Sequence, residues 1–159
     1  MTVETEAYVA FAGPFVGTLA AFAVYFWARA VDSTLLFAVA YAGFMLNLFN
    51  LLPLSPLDGG RITAVLSPRV WLVGAPLMLL LMLYRPSPIL ALIAILAVPQ
   101  LLKAWRYDPR APENAAYYAV PAQTKFEYVV MYLGLAAVLA LMTYDMHEAL
   151  QSARASHRL

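Results

Sequence analysis

The stretch Asn50-Leu51-Leu52-Pro53-Leu54-Ser55-Pro56-Leu57-Asp58-Gly59-Gly60-Arg61 constrains this chain more than any other. An apolar run is stopped there by two prolines, a carboxylate and two glycines. Pro53 and Pro56 each remove a backbone donor and break a helix. Gly59 and Gly60 leave room for another backbone or a ligand to approach. A carboxylate at membrane depth costs about 3 kcal/mol on insertion scales, so it normally has a partner or a task. Asp58 also suits the N-cap of a helix over residues 59–66, and Asp-Gly-Gly is a common turn. The two roles are compatible.

Membrane depth is the right frame because of composition. Of 159 residues, 64% are hydrophobic and only 12% charged, where a soluble domain carries about 25% charged residues. A net charge of +1 gives no electrostatic footprint for nucleic acid, so no nucleic-acid partner is expected. The absence of cysteine removes disulfides, thiolate metal ligands and thiol redox chemistry together. Glu4 and Glu6 stand where a signal peptide would be basic, and the first apolar run is longer than a signal core, so no cleaved signal is expected.

Apolar residues gather into five segments, at about residues 8–28, 35–52, 70–83, 89–102 and 128–143. The expected fold is an all-α polytopic membrane helix bundle with about five transmembrane helices. A straight crossing takes about 20 residues, which favours the first two segments. The third and fourth are short, and Arg85-Pro86-Ser87-Pro88 joins them as a helical hairpin. Their prolines are tolerable where neighbouring helices cover freed carbonyls. Residues 1–106 read as a membrane core and 107–127 as an interfacial loop. Residues 128–159 read as a last membrane helix and polar tail. Within the loop, residues 111–119 suit a short surface helix, and Trp105, Tyr107, Tyr117 and Tyr118 an interfacial belt.

If all five segments cross, Arg61, Arg69, Lys103, Arg106, Arg110 and Lys125 share one side. Arg29, Arg85, Arg154 and Arg158 share the other. The positive-inside rule then puts the first side, with Asp58, toward the cytoplasm. The expected location is a bacterial inner membrane.

Asn50, Pro53, Pro56, Leu57, Asp58 and Gly59 together resemble the Asn-x-x-Pro-x-x-Pro-Leu-Asp-Gly motif of the site-2 protease family, the intramembrane zinc metallopeptidases. Ala12-Gly13-Pro14, with Gly17 one turn later, resembles a second segment of that family. Gly13-x-x-x-Gly17 is also a general close-packing pattern. The resemblance runs over about residues 4–108. It implies that Asp58 is a zinc ligand and that Asn50 lines the cavity, positioning substrate or an oxyanion. The implied partners are membrane lipid and a membrane-protein substrate whose peptide bond is hydrolysed in or near the bilayer. Asn47, three residues before Asn50 on the same helix face, is expected to act as interhelical glue.

Catalytic zinc needs about three protein ligands, and this sequence offers one. His147-Glu148 looks like the start of a zinc-binding pair, but position 151 is Gln151 and the other histidine, His157, is ten residues on. The His-Glu-x-x-His helix of the family is expected on a preceding segment or a second chain, leaving zinc weak or absent in this chain alone. The alternative is a catalytically inactive relative that serves as a membrane scaffold or binding protein.

Overall fold

The structure, a computed structural model, describes residues 2–156. His157 and Arg158 lie outside the described residues. Every regular element among them is helical. The order is α1 (Val3–Ala30), α2 (Thr34–Asn50), α3 (Asp58–Thr63), a 3-10 turn (Pro68–Val70), α4 (Trp71–Tyr84), α5 (Pro88–Trp105), α6 (Pro112–Tyr117) and α7 (Ala122–Ser156).

Three helices, α1, α5 and α7, are long and apolar enough to cross a membrane. Against the expectation of about five crossings, three helices have spanning length, and α2 and α4 are shorter apolar helices. α2 has 17 residues, about 25 Å at 1.5 Å each, against a hydrocarbon core of about 30 Å. It ends early because the chain turns at Leu51 ahead of Pro53. α4 is bracketed by Pro68 and Pro86. The fourth segment, expected to be marginal, reaches 18 residues as α5, because its helix continues through Lys103 to Trp105.

Each helix start has a local cause. Thr2 caps α1 by accepting from the Thr5 amide at 3.4 Å, and Glu4 and Glu6 lie in its first turn, where carboxylates suit the helix dipole. Ser33 caps α2 through the Leu36 amide at 3.3 Å. Asp32, at φ 50°, makes the turn between α1 and α2. Aspartate tolerates that left-handed geometry better than most residues.

The buried face of α1 is a stripe of small residues: Ala7, Ala10, Pro14, Thr18 and Ala21. Small residues let backbones approach closely, which is how helices associate in lipid. α2 lies along this stripe, with Phe22 and Phe44 edge to face at 4.9 Å between ring centroids. α7 lies along α2. Tyr132 of α7 reaches Leu51 at the end of α2, while His147 reaches Tyr41 in its first half, so the two helices are antiparallel. α4 and α5 pair with each other. Exposed Leu92, Ile95, Leu96, Val98 and Leu102 on α5 suit a lipid solvent, where apolar surface carries no penalty.

The interfacial stretch contains α6, within the surface helix expected over residues 111–119. The last apolar segment lies inside α7, which runs on as helix through polar residues to Ser156.

Candidate functional site

The site is built on the connection between α2 and α3. Amides that leave the helix find local partners: Leu52 donates to the Phe49 carbonyl, Leu54 to Leu52, and Leu57 to Leu54 at 2.9 Å. Pro53 and Pro56 have no amide to satisfy, which makes them suitable for irregular backbone in a low-dielectric setting. The Ser55–Pro56 peptide is cis.

Three glycines close on this connection. A β-carbon on Gly59 would overlap the Leu51 and Leu52 carbonyls. One on Gly60 would overlap the backbone at Leu54 and Ser55, and one on Gly74 of α4 would overlap Pro53. The glycines at 59 and 60 are therefore required by close approach, here of backbone rather than of a ligand. Two side chains pin the same region from outside. Tyr132 of α7 donates to the Leu51 carbonyl, and the Trp71 indole donates to the Gly60 carbonyl at 2.7 Å.

Asp58 does not cap α3. The cap position is taken by Leu57, whose backbone is extended (φ −66°, ψ 157°), and no side-chain cap bond is made. Asp58 is the first helical residue, and the helix is Asp58–Thr63 rather than residues 59–66. Its carboxylate turns toward α1 instead. A β-carbon on Gly13 would stand 3.5 Å from Asp58 Oδ2. Asp58 thus lies against the glycine of the Ala12-Gly13-Pro14 segment. Asp58 stands on the short helix α3 and not on a helix of spanning length. Burial pushes its carboxyl above the ordinary value, and the nearby Arg61 guanidinium pulls it partly back.

The two asparagines separate. Asn47 packs on Gly17 of α1, but its Nδ2 donates to the Gly43 carbonyl of its own helix at 2.8 Å, so it meets α1 by close packing and not by the interhelical hydrogen bond expected. Asn50, at the end of α2, is half-buried and makes no side-chain hydrogen bond among the described residues. Pro14 lies in the buried face of α1, its carbonyl accepting from Thr18 Oγ1 at 2.6 Å.

The described residues contain no group of three or more His, Cys, Asp or Glu side chains placed to hold a metal ion. The charged neighbour of Asp58 is a cation. His147 sits far along α7, where its ring nitrogens meet the Tyr41 hydroxyl at 3.3 Å and the Gln151 amide at 2.8 Å.

Sequence reasoning missed a second concavity. A cleft of about 790 Å³ opens between the start of α1, α3, the end of α5 and α6, lined among others by Glu6, Arg61, Lys103, Arg106, Tyr107 and Tyr117. Its cations were visible in the sequence as charges on one side. Their convergence was not, because α3 and α5 are far apart in the chain.

Neither a family model, a curated protein nor a solved structure matches this chain.

Proposed function

We propose that this chain is the aspartate-bearing part of a site-2-type membrane metalloprotease core. In this reading Asp58 contributes one ligand to a zinc ion whose other ligands and general base come from outside the described residues. The orientation of Asp58 carries the proposal: its carboxylate leaves the α3 cap unmade and faces Gly13, joining the two segments that resemble the family. A helix closely packed on α1 at Gly13 would meet this carboxylate. Asn50 is proposed to position substrate, and the membrane to be a bacterial inner membrane with Asp58 toward the cytoplasm. The chain by itself is assigned no hydrolytic step.

The second reading is a non-enzymatic membrane scaffold. Arg61, as the charged neighbour of Asp58, favours it, because a cation repels a metal.

Elemental analysis separates the two. The chain is extracted in lipid nanodiscs from cells that naturally make it, and expressed alone in parallel. The protease reading expects stoichiometric zinc in the native preparation, lost on Asp58→Asn, and little zinc in the chain alone. Native material without zinc, or with zinc indifferent to Asp58, leaves the scaffold reading standing.

A further inference from the structure

The cleft beside α5 is chemically unlike the rest of the molecule. Arg61 of α3, Lys103 of α5 and Arg106 just after α5 line it, against one carboxylate, Glu6. Among the described residues no side-chain hydrogen bond or ion pair holds these three cations, and Arg61 also lies in the electrostatic reach of Asp58. Tyr107, Tyr117 and Tyr118 add hydroxyls to the same wall. Three cations and several donors converging on one concavity match a phosphate group, which guanidinium and ammonium groups recognise by charge-assisted hydrogen bonds. The volume is within the ordinary range for a ligand site, about 300–1,000 Å³.

The cleft also has an apolar side. Pro99 and Leu102 of α5 line it with the cations. Val98 and Ile95, exposed by 51% and 67%, lie on the turns of α5 leading away from it. A ligand that fills both sides has an anionic head and an apolar tail. Trp105 at the end of α5, 77% exposed, and the clustered tyrosines mark the depth at which headgroups lie. Basic pockets between membrane helices bind phospholipid headgroups for these reasons.

We infer that this cleft is a binding site for an anionic phospholipid, with the phosphate held by Arg61, Lys103 and Arg106 and an acyl chain laid along α5 above Leu102. The site is independent of the protease reading, since none of its cations is a proposed metal ligand.

Lipid retention by the full chain, measured by native mass spectrometry, tests it. The probes are phosphatidylglycerol, phosphatidylcholine and inorganic phosphate as competitor. Wild type should retain phosphatidylglycerol in preference to phosphatidylcholine. Each of Arg61→Gln, Lys103→Gln and Arg106→Gln should weaken that preference about fivefold, and the triple variant about a hundredfold. Lys103→Arg should keep it, as should Arg85→Gln at the α4–α5 turn. The single variants alter exposed side chains, so they report even if the triple variant fails to fold. Equal retention of the two lipids by wild type overturns the inference. So does a preference that survives the single variants. Displacement of phosphatidylglycerol by millimolar inorganic phosphate would assign the cleft to a free anion and also overturn it.

Discussion

Asn47 occupies the space that Gly17 leaves open: a β-carbon at Gly17 would collide with the Asn47 side-chain amide. The amide is held there by its own helix, through the bond to the Gly43 carbonyl. Gly43 in turn faces Ala21, where an added β-carbon would come within 3.2 Å. The α1–α2 pair is therefore set by two close approaches, one on each helix, and one of them is polar.

Gly17→Ala should cost about 1–3 kcal/mol through overpacking. Asn47→Ala alone should cost less, since it removes a local bond and leaves a small gap. The double variant should recover part of the Gly17→Ala loss, with a coupling of about 0.5–3 kcal/mol expected for residues in contact. Denaturant titration in detergent gives the cycle. Strict additivity would mean that the two residues do not touch.

Gly60 and Gly134 make an opposed pair. Alanine at Gly60 meets the backbone of Leu54 and Ser55, which cannot swing aside as a side chain can, while nothing lies within 4 Å of a β-carbon at Gly134. Gly60→Ala should destabilise by about 3 kcal/mol. Gly134→Ala should stabilise by about 0.5–1 kcal/mol, from the helix preference of alanine over glycine alone. Thermal unfolding of both variants measures the difference, and similar effects of the same sign would contradict the clasp around residues 51–55.

Tyr117 should titrate late. Burial pushes its phenol above the ordinary value of 10.0, and the Glu6 carboxylate beside it adds to the shift. A raised phenol pKa in the folded state means that its stabilising contribution is complete below pH 10. The contribution is lost as pH rises through the folded value. Glu6→Gln should move the Tyr117 transition downward without returning it to normal, because burial is the larger cause. Ultraviolet difference absorbance with Tyr117→Phe as the blank follows it. An unmoved transition would remove Glu6 from the account.

The helix content of this chain was legible because lipid-facing segments are written as apolar runs, and all five runs became helices. Their ends were not. α7 extends beyond its apolar part at both ends, where exposed polar residues four apart support one another, as in Gln123 to Glu127 at 3.1 Å before it and Tyr144 to Glu148 at 3.0 Å after it. Such pairs carry no hydrophobic signal. At the candidate site, the breaks at Pro53 and Pro56 and the need for glycine at 59 and 60 could be read directly. The choice of Leu57 over Asp58 as the α3 cap could not, since it depends on backbone geometry set by the packed connection. Sequence placed Asn47 at a helix contact, but could not say that Gly17 would receive it, since that depends on how α1 and α2 slide along each other.

The bond from Tyr132 to the Leu51 carbonyl links residues 81 apart in the chain, and it gives the molecule a direction of assembly in time. α1 and α2 emerge before the other described helices and can pair as a hairpin at once. Leu51, where that hairpin stops, must then wait through the making of α3, α4, α5 and α6 before its donor exists. Until α7 joins them, one wall of α2 is uncovered and the turn that presents Asp58 is pinned by Trp71 alone. Of the described helices, the one made last locks the middle of the chain.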